Sequence, residues 1–129
     1  MAEKVTLNID GQEVSVPPGT TILAAATQVG IHIPALCHYE GLPHFTSCFL
    51  CLVEVTGKRT PVPACSTLAE VGMQIQTNTP KIRHLRKLCL ELLLSDHTGD
   101  CTAPCVLTCP AGCDIQSFLR NIAEGDLPQ

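Results

Sequence analysis

Apolar and polar residues alternate almost from the first position. Val5, Leu7 and Ile9 are interleaved with Thr6, Asn8 and Asp10, and Val14 and Val16 resume the alternation after Asp10-Gly11. A period of two puts successive side chains on opposite faces of a strand, and Asp-Gly suits a tight turn, so the pattern predicts a β-hairpin. Pro17-Pro18-Gly19 ends it, and Thr20 or Thr21 can cap a helix from Ile22 to Val29, closed by Gly30. That helix would bury Ile22, Leu23 and Ala26 against the sheet. From Ile31 to Cys51 no period survives, and Pro34, Gly41 and Pro43 mark a loop ordered by something other than its own secondary structure.

Leu52 to Val55 then reads as a strand, Thr56-Gly57-Lys58 as a turn, and Thr60 to Ala64 as a return strand that Pro61 and Pro63 place at an edge. Met73 to Thr77 alternates again as a last strand. Thr79 and Pro80 open a helix as N-cap and first helical residue, with Ile82, Leu85, Leu88, Cys89, Leu92 and Leu93 at helical spacing through about Ser95. A short helix over Ile115 to Ala123 ends at Gly125. The expected class is α+β, with one domain over residues 1–79 and a helical, cysteine-rich segment over residues 80–129.

Composition sharpens this picture at the cysteines. The chain has 129 residues and nine cysteines. Cys37, Cys48, Cys51 and Cys65 form C-x10-C-x2-C-x13-C, and a second array follows as His97, Cys101, Cys105, Cys109 and Cys113. Cys89, on the apolar stripe of the long helix, reads as a small buried hydrophobe. Leu, Ile, Val and Ala must build the core, because aromatics are few and Trp is absent. A net charge of -4 gives no reason to propose nucleic acid. Lys81, Arg83, Arg86 and Lys87 concentrate positive charge, which fits one solvated helix face or a docking surface for a partner subunit.

Met1-Ala2-Glu3-Lys4 leads straight into the first strand without a signal-peptide pattern, and no apolar run approaches membrane-spanning length. A reducing cytoplasm is the expected home. There, an odd and dense set of cysteines suits metal binding better than a disulfide framework.

Thiolates are soft donors suited to iron-sulfur clusters and zinc. Four of them can bind a 2Fe-2S cluster, with Cys48 and Cys51 clamping one metal from a tight turn while Cys37 and Cys65 arrive from distant segments. The alternative is a zinc-stabilised interaction module without redox activity, although zinc ribbons usually use two C-x2-C knuckles and the chain has one. His32, His38 and His44 surround the loop, but the set of four thiolates is complete without them. A thiol oxidoreductase using Cys48 and Cys51 would leave the other cysteines idle and lacks the expected strand-helix order. In the second array, Cys109-Pro110 matches a word that recurs in 4Fe-4S segments.

Three stretches carry a family resemblance: Ile33-Pro34-Ala35-Leu36-Cys37-His38, Cys48-Phe49-Leu50-Cys51-Leu52-Val53-Glu54-Val55, and Pro63-Ala64-Cys65-Ser66-Thr67. In their β-β-α-loop-β setting, residues 4–78 resemble the plant-type 2Fe-2S ferredoxins, and in particular the branch at the N-terminus of iron-only hydrogenases and of the large iron-sulfur subunit of NADH dehydrogenase. Ser47 and Phe49 depart from the Gly and Arg often found there. The resemblance implies a β-grasp fold and a 2Fe-2S cluster on Cys37, Cys48, Cys51 and Cys65.

The segment from His97 resembles the part of the same families that binds a 4Fe-4S cluster. From Cys101 onward it looks more like the stretch before the flavin domain of glutamate synthase small-subunit-like proteins. This implies a 4Fe-4S cluster on His97, Cys101, Cys105 and Cys109, with Cys113 as the alternative fourth ligand. The function implied is relay of single electrons between a flavin or cluster partner and a redox acceptor. It would operate inside an NAD(P)H-linked oxidoreductase or hydrogenase complex, as a hetero-oligomer with flavoprotein or hydrogenase subunits. No Gly-x-Gly-x-x-Gly fingerprint occurs in the chain, so flavin and nicotinamide sites are expected elsewhere.

Overall fold

A computed structural model describes residues 4–96 and 102–126. The chain divides into two compact units, residues 1–96 and 97–129.

In the first unit the hairpin forms as its alternation requires. Strands β1 (Val5–Ile9) and β2 (Gln12–Val16) pair antiparallel with Leu7 opposite Val14, and Val5, Leu7, Ile9, Val14 and Val16 are all buried. Asp10 and Gly11 both take positive φ, 49° and 85°, as a tight hairpin turn of matching twist demands. Helix α1 (Ile22–Gln28) is capped by the Thr21 hydroxyl, which accepts the Ala24 N–H at 3.2 Å. It buries Ile22, Leu23, Ala25 and Ala26, one stripe of its surface.

Strands β3 (Leu52–Val55), β4 (Val62–Pro63) and β5 (Gln74–Gln76) complete a five-stranded sheet in the order β2-β1-β5-β3-β4. The strand expected last in sequence, β5, lies at the centre, parallel to β1 and antiparallel to β3. A mixed sheet of this order, sharing a core with α1, is the β-grasp arrangement. At the edge, β4 is shorter than the expected Thr60 to Ala64, because two prolines without N–H groups leave little ladder to make. The core is aliphatic, and Cys51 and Cys65 belong to it.

Helix α2 (Pro80–Ser95) follows with the expected cap. The Thr79 hydroxyl accepts the Ile82 N–H at 3.1 Å and donates to Glu54 Oε2 at 2.6 Å, while Lys81 Nζ lies 3.0 Å from Glu54 Oε1. Losing such an N-cap costs about 1 kcal/mol. Here the cap also ties the helix to β3. The apolar stripe is less covered than its periodicity predicts: Ile82 is buried, Leu85 and Cys89 are half-buried, and Leu88, Leu92 and Leu93 are exposed.

In the second unit a one-turn helix that the sequence pattern did not predict, α3 (Pro104–Leu107), precedes α4 (Ile115–Glu124). Asp114 caps α4 by accepting the Ser117 N–H at 3.1 Å, and Gly125 closes it at φ 74°. Neither helix buries a residue.

The Thr79 hydroxyl first, and then the Lys81 ammonium, hold the Glu54 carboxyl below its ordinary value. A depressed carboxyl stabilises the fold above its unfolded pKa of about 4.3 and loses that contribution as pH falls through the lower folded value. Glu54→Gln is therefore expected to lower the thermal midpoint at pH 7 and to match the parent chain more closely near pH 3.5. Melting curves of both proteins at the two pH values check this, and an equal gap at both would contradict it.

Candidate metal centre

Cys65 sits in a turn that the first turn of α1 holds in place. The first amides of a helix have no partner within it. Here Ile22 N donates to Thr67 O and Leu23 N to Ala64 O, each at 2.9 Å, and Ala69 N donates back to Thr20 O at 2.8 Å. The Thr67 hydroxyl closes the turn on Pro63 O at 2.7 Å. Ala64 N then donates to Cys51 O at 3.0 Å, which fixes Cys65 beside the entry to β3. Cys51 and Cys65 are each 1% exposed and Cys48 is 5% exposed, whereas Cys37 is half-buried at the rim.

The thiols meet in two pairs. Cys37 lies against the Cys48 backbone and side chain, and Cys51 against those of Cys65. Cys48 and Cys51, the two sulfurs of the C-x2-C turn, each also lie against a cysteine from outside it, and the Cys48 charge still acts on Cys51. Among the described residues, no group of three or more His, Cys, Asp or Glu is arranged around a single ion. Pairs of thiols suit two irons bridged by sulfide, each taking two protein sulfurs, better than one tetrahedral zinc.

Backbone amides and burial act on these sulfurs in opposite directions. The N–H of Cys48, helped by the Cys48 thiol and by Ser47, brings Cys37 down to about 7. Burial pushes Cys51 up to about 11. The Thr46 hydroxyl lies 3.8 Å from Cys65 Sγ. Thr46 and Phe49, on either side of Cys48, adopt positive φ of 51° and 53°. Such angles are costly for β-branched and bulky residues and persist where the surroundings over-determine the backbone. Soft donors, burial and N–H groups on sulfur together fit a cluster ligand set.

In the second array, Cys105 and Cys113 are exposed and Cys109 is half-buried. The N–H groups of Cys113, Ala111 and Gly112, with the Cys113 thiol, hold Cys109 below its ordinary value. Cys109 and Cys113 are thus brought together. His97 and Cys101 lie outside the described residues.

Arg86 and Thr46 do not stand out in the sequence as site residues. Arg86 does not join a solvated basic face: its guanidinium turns inward and donates from Nη2 to Leu52 O at 2.8 Å. Its helical spacing carries the signal, since it lies four residues after the buried Ile82 and three before Cys89, on the same face. Thr46 leaves no comparable signal in an aperiodic loop. Cys89 lines a groove with Ser47, Cys48, Phe49, Leu92 and Leu93.

A β-grasp sheet with a rim of cysteine thiols defines an iron-sulfur domain of the ferredoxin type. The chain belongs to the family described as the 2Fe-2S iron-sulfur cluster binding domain, which it matches over residues 2–80. It is 40% identical over 95% of its length to an NADH-quinone oxidoreductase subunit of Rhizobium meliloti (strain 1021), covering 14% of that protein. It is 38% identical over 96% of its length to the NADP-reducing hydrogenase subunit HndD of Solidesulfovibrio fructosivorans, covering 22% of it. The chain thus spans less than a quarter of either relative. Among solved structures, an NAD+-reducing [NiFe]-hydrogenase in the H2-reduced state superposes with a TM-score of 0.68 at 27% identity, covering 95% of this chain and 50% of that one.

Cys89 stands outside both thiol pairs. Cys89→Ala is expected to retain the iron and sulfide content and the visible absorption of the parent protein. Loss of half or more of the iron would show that Cys89 is a ligand.

Proposed function

We propose that this chain is an electron-transfer module in which Cys37, Cys48, Cys51 and Cys65 hold a 2Fe-2S cluster. The observation that carries the proposal is the convergence of two thiol pairs, three of the four sulfurs withdrawn from water, in a chain of the 2Fe-2S family. A bound cluster supplies the one-electron chemistry. The polypeptide supplies ligation, hydrogen bonds to sulfur and exclusion of water. Cys37, at the rim, is the ligand nearest to solvent and to any redox partner.

The second unit is proposed to hold a 4Fe-4S cluster on Cys101, Cys105 and Cys109, with His97 or Cys113 as the fourth ligand. Amides directed at the Cys109 sulfur support it, and the contact between Cys109 and Cys113 favours Cys113 for the fourth place. The 2Fe-2S domain proper is proposed to cover residues 1–79, with residues 80–129 as the following segment; the family match stops at residue 80.

The working setting proposed is an NAD(P)H-linked oxidoreductase or hydrogenase complex, in which flavoprotein or hydrogenase subunits exchange electrons with this module. The names of the relatives support this setting, and so do four exposed apolar residues on the loop that carries Cys37: Leu36, Tyr39, Leu42 and Phe45. Apolar surface gathered in one place marks contact sites. No described helix is long and apolar enough to cross a membrane. A reducing, cytoplasmic compartment suits eight described cysteines that are all unpaired.

Anaerobically prepared protein is expected to contain iron and acid-labile sulfide and, once reduced, to give electron paramagnetic resonance signals of two cluster types. Cys48→Ser should abolish the 2Fe-2S signal and spare the other. If zinc replaced iron in the metal analysis, or if both signals survived the substitution, the assignment would be wrong. For the second cluster, Cys113→Ala should remove the 4Fe-4S signal where His97→Ala retains it if Cys113 is the fourth ligand; the reverse result gives the place to His97.

A further inference from the structure

Helix α2 begins where the family match ends, yet it sends one cation back into the cluster-binding unit. Ile82 anchors its first turns on the core at 0% exposure, and Thr79 and Lys81 bind its start to Glu54 of β3. One turn beyond Ile82, Arg86 is directed inward. Its Nη2 donates to Leu52 O at 2.8 Å, on the residue that follows Cys51, and its Nε is buried without a hydrogen-bond partner among the described residues.

An arginine withdrawn from water for packing alone would be expected to satisfy its donors, because a buried unpaired N–H on a charged group is costly. Burial draws the Arg86 pKa below its ordinary value, and the charges that face it, the Cys51 sulfur and the Asp10 carboxylate, offset part of that by favouring the cation. Its helix neighbour Lys87 instead points outward, with its side chain 74% exposed and 3.6 Å from Glu91.

We propose that Arg86 is a positioning residue for the redox centre: a fixed positive charge, carried by α2 to the Cys51 side of the site, that raises the reduction potential of the 2Fe-2S cluster. The inference rests on the cluster assignment above. Reduction adds one negative charge to a cluster and its four thiolates. A nearby cation in a partly desolvated position stabilises the reduced form more than the oxidised form. The Leu52 carbonyl holds the guanidinium in register with the ligand it serves. The effect belongs to residues outside the matched domain, so α2 is part of the electron-transfer apparatus as well as a connection.

The test is a potentiometric titration of the full chain, cluster loaded under anaerobic conditions and followed by electron paramagnetic resonance, with iron and sulfide measured on each sample. Arg86→Gln is expected to bind its full iron and to shift the 2Fe-2S midpoint downward by about 59 mV, a tenfold change in a one-electron equilibrium. Arg86→Lys, which keeps the charge but loses the guanidinium hydrogen bond to Leu52 O, should stay close to the parent value. Lys87→Gln, removing an exposed charge, should shift it far less than Arg86→Gln does.

A fully loaded Arg86→Gln protein with an unchanged midpoint overturns the proposal. So does a shift of equal size in Arg86→Lys, which would mean that packing and not charge is responsible. If Arg86→Gln fails to retain the cluster, Arg86→Met, with an apolar stem and no charge, is titrated in its place under the same criteria. Should that variant also fail while Arg86→Lys loads normally at the parent midpoint, the cation is needed for holding the cluster and the tuning role is rejected. Absence of a 2Fe-2S signal from the parent protein would instead reject the cluster assignment on which the inference stands.

Discussion

Helix α1 leaves its first amides without partners inside the helix, and the chain uses that shortage to fix a cysteine. Ile22 N and Leu23 N reach Thr67 O and Ala64 O, so the turn carrying Cys65 is held by a rigid element that the sheet itself supports. Each such bond contributes about 1 kcal/mol net, but a buried helix end without partners would cost more than that per amide. The turn can therefore move little without stranding those donors. Ala64 N passes the constraint on to Cys51 through its carbonyl. Two of the four thiols are positioned by ordinary helix and sheet hydrogen bonds that would exist for any side chain at 51 and 65.

The other two thiols depend on a different kind of order. Between residues 31 and 51 no strand or helix is formed. Thr46 and Phe49 hold left-handed backbone angles on either side of Cys48. Along this loop Cys48 is buried and Cys37 is half-buried. In the proposed ligand set, Cys37 at the rim would reconcile two opposing needs: sulfur kept from water protects a metal centre, and sulfur near the surface shortens the path to a partner. The apolar residues Leu36, Tyr39, Leu42 and Phe45 on the same loop are exposed, which is where the proposed partner contact would fall.

What the sequence disclosed and what it concealed divide along the same line. Period-two alternation revealed β1 and β2 with their inward faces, and the cap Thr79 was evident because a hydroxyl before Pro80 suits a helix start. The first helix left Thr20 and Thr21 as alternatives, of which Thr21 is the cap. The cysteine spacing, with the words around it, pointed to a ferredoxin-type domain, in agreement with the family match. The sheet order was not legible: β5 spans three residues, too few for its pattern to show that it would lie between β1 and β3. The contacts of Cys37 with Cys48 and of Cys51 with Cys65 were hidden as well, because they join residues 11 and 14 positions apart with no period to link them. Arg86 was concealed for a related reason. Charge groups it with Lys81, Arg83 and Lys87, whereas a helix groups residues by spacing, and spacing sets Arg86 with Ile82 and Cys89.

The second unit shows why a cysteine array can matter to folding as much as to chemistry. Neither α3 nor α4 buries a side chain, and Phe118, Leu119 and Ile122 of α4 are 58%, 56% and 46% exposed. Caps at Asp114 and Gly125 define where α4 starts and stops, but capping decides boundaries and cannot supply a core. A segment this small, with no buried aliphatic residue among those described, needs a covalent or metal staple, or a partner surface, to repay its chain entropy. The amides gathered on the Cys109 sulfur favour its thiolate, the form that the proposed 4Fe-4S cluster would require there. The exposed apolar face of α4 is a separate demand, and the ligation proposed at Cys109 would leave it uncovered.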